Sequence, residues 1–240
     1  MIKISGTVWY SFFNALGYLV AAIIFYREAK RKQYSVEILL YIVFGALLCG
    51  LIGSRLGSAL FVYRAYYAHH LSDLCVPHVG GKTLVGGLIG GYFGAIIAKK
   101  IMHFNRSTGD LFAPGLAIGI AIGRIGCFLN GCCYGTPTRL PWGIPIQGVS
   151  RHPTQLYESV FCFFLFIFLL RMRAKVRREG DLFLLFLFCY SFFRFWIEFL
   201  REDRVMTALN ISLAQAIAAV IVFICGVHFF RQKGNTSCVQ

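Results

Sequence analysis

Charged residues are scarce in this chain: they form 14% of its 240 residues, against roughly 25% in soluble globular domains. Internal repeats, low-complexity tails and a small-residue cleavage site after the first apolar run are also lacking, so we expect no cleaved secretory signal and one membrane domain over residues 1–240. Apolar residues are abundant instead, at 58% of the chain with a mean hydropathy of +0.66. This composition predicts a polytopic membrane protein.

Long apolar runs set the predicted architecture, because about 20 such residues cross a bilayer as a helix. The predicted spans are residues 7–26, 36–62, 83–101, 111–129, 154–171, 181–200 and 211–230. The fold class we expect is therefore an all-α polytopic membrane protein with seven transmembrane helices.

Basic residues are distributed unequally between the two sides of these spans. The ends of the first, third and fifth spans, the loops that follow them and the C-terminal tail together hold 14 Lys and Arg, against 7 in the segments of the other side. The positive-inside rule then predicts a cytoplasmic C-terminus and an external N-terminus. Because these cations follow span ends, the net charge of +14 indicates contact with anionic lipid headgroups and not with nucleic acid.

Three arginines lie well within predicted spans, away from the span ends: Arg55, Arg124 and Arg194. An arginine at the bilayer centre costs at least about 2.5 kcal/mol, so such residues face the bundle interior or a cavity. If each arginine paired with an acid, their role would be structural. Glu198 is, however, the one acid deep in a span, and it lies four residues after Arg194 on the same helical face. The three arginines therefore outnumber the acids available to pair with them. We interpret the surplus positive charge as a site for an anion, and a phospholipid phosphate suits planar guanidinium forks.

Small residues recur at four-residue spacing on two spans. Gly115, Gly119 and Gly123 follow this spacing on the fourth span, as do Gly50 and Ser54 on the second. The spacing predicts close helix packing and needs no functional explanation.

Several stretches together resemble the prolipoprotein diacylglyceryl transferases, which move a diacylglyceryl group from phosphatidylglycerol to a cysteine thiol of a lipoprotein precursor. The matching stretches are WYSFFNALGYLVA (9–21), GSRLGSALF (53–61), GGKTLVGGLIG (80–90), GRIGCFLNGCCYGTPT (123–138), RHPTQLYES (151–159) and FFRFWIEFLRE (192–202). The resemblance implies seven spans and an external N-terminus, as the hydropathy does. It also implies a multi-pass protein of the bacterial plasma (inner) membrane, without a cofactor or metal, and we expect a monomer.

The resemblance assigns roles to particular residues. The family's signature arginine falls on Arg124, its late essential arginine on Arg194 and the tyrosine of its first span on Tyr10. Asn130 and Gly131 also match the signature. These assignments imply catalysis by Arg124, Arg194 and Tyr10, with Arg124 holding the phosphate of a phosphatidylglycerol-like lipid.

Further predicted substrate-binding residues surround this set. We expect Arg55 and Glu198 to support the arginines, and Asn130, Gly131 and His152 to help shape a polar cavity.

Three positions depart from the family pattern. Val85 stands where the family has a histidine, a candidate general base, while Cys127 and Cys132 replace an asparagine and a glutamate. The acceptor thiol must lose a proton, and His78 and His152 are possible substitutes; His69 and His70 are interpreted as ordinary loop residues.

The departures keep two rival functions open. One is a family paralogue that uses the same lipid site with a different thiol acceptor. The other is a membrane thiol-redox protein.

The signature cysteines allow four interpretations. Cys127, Cys132 and Cys133 could be small packing residues, or one of the last two could form a disulfide with Cys75 on an oxidising outer face. They could be reactive thiols, since Cys127 lies one helical turn from an arginine that favours thiolate. The metal interpretation is the weakest, because C-x4-C-C lacks the paired spacing of structural zinc, although Cys75 and His78 could add ligands. The remaining span cysteines are interpreted as small hydrophobes.

Overall fold

The computed structural model describes residues 6–61, 84–146, 148–176, 178–202 and 211–237. Within these residues the chain forms seven α-helices: α1 (Gly6–Arg31), α2 (Val36–Phe61), α3 (Leu84–Ile101), α4 (Gly109–Leu129), α5 (Thr154–Met172), α6 (Asp181–Ile197) and α7 (Leu213–Ser237). The shorter elements are a 3-10 turn, η1 (Glu198–Leu200), and two strands, β1 (Ile144–Ile146) and β2 (Val149–Arg151). Each predicted span corresponds to one of the seven helices, with ends that differ by a few residues.

Six of these helices are long and apolar enough to cross a membrane, counted over the described residues. The helix outside that set is α3. The chain is thus a multi-pass helical membrane protein, while the count of seven spans and the external N-terminus stay predictions. Large apolar side chains cover much of the helix surfaces, with Phe223 72% and Tyr18 76% exposed, as expected of helices that face lipid.

The described structure divides into two compact units, one of residues 29–106 and one of residues 1–28 with 107–240. The predicted single domain therefore stays a prediction. In the smaller unit, α2 and α3 pack along glycines. A Cβ on Gly53 would lie 2.4 Å from the Gly86 carbonyl oxygen, and one on Gly90 would lie 2.3 Å from that of Cys49. Backbones at this distance exclude any side chain at the crossing, which confirms the packing role of small residues on the second span.

The larger unit has an apolar core where α4, α5 and α6 meet. Its fully buried members are Ala113, Ala117, Leu165, Leu169, Leu182 and Phe186. The first helix packs on α4 through small residues, because a Cβ on Gly17 would come within 2.9 Å of the Gly119 carbonyl oxygen. The four-residue glycine spacing on α4 is thereby explained by close backbone approach.

The segment between α4 and α5 forms a small β structure at the end of the larger unit where α4 ends and α5 begins. Strands β1 and β2 pair as an antiparallel hairpin, and isolated bridges join Gly135 to Arg201 and Pro137 to Arg151. The Thr136 amide donates to the Leu200 carbonyl at 2.8 Å. This end of the unit therefore has a rigid backbone network that fixes the loop after α4 against the end of α6.

Candidate functional site

Arg124 is anchored by a carboxylate on the neighbouring helix. It lies in the last third of α4, and its Nη2 donates to Glu158 Oε1 at 2.9 Å. Glu158 is in the first turns of α5, its side chain only 2% exposed, and it also accepts a hydrogen bond from the Tyr190 hydroxyl at 2.8 Å. The guanidinium and the hydroxyl that bind this oxygen compensate the cost of burying the negative charge of Glu158.

Arg194 approaches the same carboxylate from α6. Its Nη1 lies 3.9 Å from Glu158 Oε2, while its Nη2 forms an ion pair with Glu198 Oε2 at 2.9 Å. The predicted pairing of Arg194 with Glu198 is confirmed. The Nη1 atom is buried and has no hydrogen-bond partner among the residues that the structure describes. Within the described residues, this buried guanidinium nitrogen thus has a carboxylate oxygen 3.9 Å away but no hydrogen-bond acceptor.

Glu198 is itself held by the segments around η1. The Ser212 hydroxyl donates to Glu198 Oε1 at 3.0 Å, and Arg201 Nε lies 3.9 Å from Glu198 Oε2. Ser212 is fixed in turn because its Oγ accepts the Gln215 amide at 3.1 Å. We refer to Arg124, Glu158, Arg194, Glu198 and Arg201 as the arginine–carboxylate cluster.

The sequence alone did not identify Glu158 as a site residue, because it lies near the start of a predicted span. The structure buries it at the centre of the cluster, where it joins the two arginines on which the prediction depended. The available signal was its position at the end of the quoted RHPTQLYES stretch. Hydropathy gives the start of a helix along the sequence but not the depth to which neighbouring helices cover it.

The loop after α4 gathers the three signature cysteines. The helix ends at Leu129 with Asn130 as its C-cap, after which Gly131 and Cys133 have left-handed φ values of +66° and +63°. These turns fold the chain back, so that the Sγ atoms of Cys127, Cys132 and Cys133 all lie within 4.8 Å of one another. The linear spacing C-x4-C-C did not predict this convergence.

Hydrogen bonds from α5 hold this loop in place. The Thr154 hydroxyl donates to the Cys133 carbonyl at 2.8 Å, and Gln155 Nε2 donates to the Cys132 carbonyl at 2.6 Å. The Cys132 thiol reaches the Cys127 carbonyl at 3.6 Å. Both anchoring side chains are 1% exposed, so the positions of the thiols are set by the buried start of α5.

The thiols and the arginine–carboxylate cluster are adjacent. Arg124 Nη1 lies 4.0 Å from Cys127 Sγ, which confirms that the guanidinium and the thiol one turn later share a neighbourhood. A hydrogen bond from the Cys127 thiol, together with the charges of Arg201 and Arg124, lowers the pKa of Cys133 to about 5. Burial raises the pKa of Cys132. These interactions favour ionisation of Cys133 over Cys132, and Cys127, which the sequence singled out beside Arg124, is the hydrogen-bond donor to Cys133.

The other predicted site residues that the structure describes lie on α1, at the end of α4 and just before α5. Tyr10 is 37% exposed. Its backbone packs on the end of α4, since a Cβ on Gly126 would lie 3.2 Å from the Tyr10 carbonyl oxygen. The Tyr10 hydroxyl interacts electrostatically with the three thiols. Asn130 is exposed but hydrogen bonds to Cys132. His152 instead contacts Tyr157, with Nδ1 3.4 Å from the hydroxyl oxygen.

Some predictions fall elsewhere in the chain. Arg55 lies on α2 in the smaller unit, half-buried, and its support of Arg124 stays a prediction. The side chain of Val85 and all of His69, His70, Cys75 and His78 lie outside the described residues. The seven cysteines that the structure describes are free thiols, and a disulfide to Cys75 stays untested. Of the span cysteines, Cys162 and Cys225 are buried, as small hydrophobes are.

The apolar helices and the buried arginine–carboxylate cluster define a multi-pass membrane protein with a charged interior site. Residues 1–231 match the family described as prolipoprotein diacylglyceryl transferase, and the chain belongs to that family of enzymes. Among its relatives is the phosphatidylglycerol–prolipoprotein diacylglyceryl transferase of Clostridioides difficile, 37% identical over 97% of this chain and 94% of the relative. The enzymes with that name from Finegoldia magna and Geobacter sulfurreducens are 34% and 35% identical, over 89% and 84% of this chain and 87% and 80% of theirs.

Proposed function

We propose that this protein transfers a diacylglyceryl group from phosphatidylglycerol to a cysteine thiol of a lipoprotein precursor in the bacterial plasma membrane. The names of its relatives support the two substrates. Within the chain, the site best suited to this reaction is the arginine–carboxylate cluster.

The observation that carries the proposal is the arrangement of two arginines around one carboxylate. Glu158 Oε1 binds Arg124 Nη2 at 2.9 Å and Glu158 Oε2 lies 3.9 Å from Arg194 Nη1. The Nη1 atom of Arg194 has no hydrogen-bond partner in the described residues, and that of Arg124 has only the weak contact with Cys127 sulfur. A phosphate oxygen near both Nη1 atoms would provide the missing acceptor, and guanidinium groups bind phosphate by charge-assisted hydrogen bonds.

The chemistry of the transfer explains the need for these cations. The acceptor sulfur attacks the glyceryl carbon, the carbon–oxygen bond to the phosphate breaks, and its electron pair goes to the departing phosphate oxygen. Positive groups already in place stabilise the charge that develops there, and the loss of one such donor typically costs about 10²–10³-fold in rate. Arg124 and Arg194 supply these groups, and Glu158 and Glu198 fix their orientation.

The remaining predicted residues shape the environment of this reaction. Tyr10 and Asn130 are near the thiols beside Arg124, and Gly131 permits the turn that directs the loop over the site. Arg55 and His152 are proposed to contribute to substrate binding. His152 belongs to the backbone network at this end of the unit, where its amide donates to Thr136 at 3.1 Å.

The test is formation of a thioether on a synthetic lipobox peptide by protein purified in detergent and supplied with phosphatidylglycerol. Arg124→Ala should reduce product formation at least about 100-fold, and Arg124→Lys should recover little of it because lysine lacks the bidentate fork. Arg171→Ala, an exposed arginine at the far end of α5, is the matched control and should retain activity. Product from Arg124→Ala at the wild-type rate would refute the assignment.

A further inference from the structure

The three thiols beside Arg124 form a site that the transferase assignment does not use. We propose that Cys127, Cys132 and Cys133 bind a zinc ion whose fourth coordination position takes the cysteine thiol of the acceptor substrate. This inference rests on the proposed transfer to a thiol, and it states how that thiol is deprotonated.

The sulfur positions suit a zinc ion with little movement. A tetrahedral site with zinc–sulfur bonds of about 2.3 Å places its sulfurs about 3.8 Å apart, and the three Sγ atoms already lie within 4.8 Å of one another. Rotation of one or two side chains closes this difference. All three cysteines are half-buried and none is sealed in the core, as a site that admits an ion and a fourth ligand requires.

The backbone holds the three sulfurs together before any ion binds. Cys133 has a φ of +63°, a conformation that is unfavourable for a residue with a side chain. Buried Thr154 and Gln155 fix the carbonyls of Cys133 and Cys132. Hydrogen bonds that hold the groups around the ligands in place are typical of metal sites, and here they hold the backbone of two of the three cysteines.

Two guanidinium groups lie beside the thiols and would compensate the charge of a zinc–thiolate complex. Three thiolates and Zn²⁺ carry a net charge of −1. Arg124 Nη1 lies 4.0 Å from Cys127 Sγ, and Arg201 hydrogen bonds to Cys133. These guanidinium groups balance the complex, and zinc prefers such thiolate ligands.

The proposed reaction gives this site a purpose. An acceptor thiol must lose its proton before its sulfur attacks carbon. The carboxylate nearest to Arg124 is Glu158, which already contacts two guanidinium groups and a tyrosine hydroxyl, so it is poorly placed to take that proton. Coordination to zinc deprotonates a thiol directly, and catalytic zinc sites typically have three protein ligands with the fourth position open to substrate.

The step balances as follows. The acceptor thiol binds zinc as thiolate and its proton passes to water. Its sulfur then attacks the glyceryl carbon, and a carbon–sulfur bond forms as the carbon–oxygen bond to phosphate breaks. The electron pair leaves with glycerol phosphate beside Arg124, and the thioether, a much weaker zinc ligand than thiolate, dissociates. No oxidant or reductant is consumed.

Metal binding is tested first, without reference to activity. Detergent-purified protein is titrated with Co²⁺ as a spectroscopic substitute and then with Zn²⁺. We expect one ion per chain, with thiolate-to-cobalt absorption that Zn²⁺ abolishes. Cys127→Ser, Cys132→Ser and Cys133→Ser should each lose this absorption, whereas Cys189→Ser, a thiol on α6, should keep it. If the serine variants do not fold, a second measurement uses the wild-type protein. Its thiols are labelled with maleimide with and without Zn²⁺, and the labelled positions are mapped by mass spectrometry. Protection by Zn²⁺ confined to residues 127, 132 and 133 supports the site, and equal labelling of these residues with and without Zn²⁺ contradicts it.

Substrate coordination is tested second. A lipobox peptide should change the cobalt spectrum, and the same peptide with serine for cysteine should not. In the transfer assay, a chelator should reduce the rate at pH 7 about 30-fold, since a free thiol of pKa about 8.5 is only a few per cent ionised there. The deficit should shrink toward pH 9, and Zn²⁺ but not Mg²⁺ should restore the rate.

The outcomes separate this inference from the proposed function. Thioether formation by protein that binds no Zn²⁺, or that is unaffected by chelation, overturns the zinc site and leaves the transferase intact. Binding of Zn²⁺ without any response to the cysteine peptide overturns the substrate position. A cysteine-specific cobalt response in protein that makes no thioether supports the site and contradicts the proposed lipid chemistry instead.

Discussion

Neutralising Glu158 is the most informative perturbation of the arginine–carboxylate cluster. Glu158→Gln keeps the volume of the side chain and one carbonyl acceptor, but it removes the negative charge that Arg124 and Arg194 share. The Glu158 side chain is 2% exposed, and its carboxylate oxygens lie 2.9 Å from an Arg124 nitrogen and 3.9 Å from an Arg194 nitrogen. The substitution therefore leaves two cations partly uncompensated inside the protein.

The magnitude follows from this geometry. Breaking a buried ion pair by removing one partner costs about 3–5 kcal/mol, and the retained acceptor places Glu158→Gln at the lower end, about 3 kcal/mol. For a chain of this length each 1 kcal/mol lowers the unfolding midpoint by about 2–4 °C, so we expect a decrease of about 6–12 °C. The loss of orientation at Arg124 should also reduce transfer about 100-fold.

The assay is thermal unfolding in detergent, with thioether formation measured on the same preparations. Glycerol phosphate should raise the midpoint of Glu158→Gln more than that of the wild type, because an anion then compensates the cations that lost their partner. Glu37→Gln, an exposed glutamate in the first turn of α2, is the matched control and should change neither quantity. A midpoint within 2 °C of the wild type by the same measurement, with full activity, would refute the reasoning.

Three further predictions concern single residues. The pKa of Cys133 is lowered to about 5, so in metal-free protein its stabilising interactions should be lost as the pH falls through about 5. Alkylation of Cys133 in metal-free protein should persist down to that pH, and Arg201→Gln should shift the pH profile of labelling upward. Gly53→Ala places a Cβ 2.4 Å from a backbone oxygen and should reduce the free energy of unfolding by about 1–3 kcal/mol. Gly226→Ala, where a Cβ meets nothing within 4 Å, is the control and should leave that free energy unchanged. Ser159→Ala removes a buried hydrogen bond of 2.7 Å and should cost about 1 kcal/mol in denaturation experiments without changing transfer.

The helices were predictable because lipid imposes one requirement on the backbone. Every spanning segment must satisfy its own hydrogen bonds, so apolar length alone located the segments that became α1 to α7. The glycine spacing also predicted close packing correctly: Gly50 and Gly119 lie at crossings where helix backbones come within contact distance. Arg124 and Arg194 could be selected because a charge inside a span needs a partner wherever it lies.

The partners of those arginines depended on packing. Glu198 was identified for Arg194 because four residues on one helix are neighbours in any fold. Glu158 was not, since its approach to Arg124 depends on how α5 lies against α4, 34 positions away along the chain. The imidazole of His152 contacts the Tyr157 hydroxyl, a contact that spacing along the chain did not predict, and its role in substrate binding stays a prediction.

The sequence by itself determined the membrane class, the helices, the family and the two arginines, because hydropathy, helical spacing and a long signature are local properties of the chain. Tertiary structure alone decided that Glu158 joins those arginines and that three thiols converge beside them. The first depends on which helix faces meet, and the second on two left-handed turns held by the buried start of α5. Neither distance is encoded in spacing along the chain, because each is set by groups from separate elements that only packing brings together.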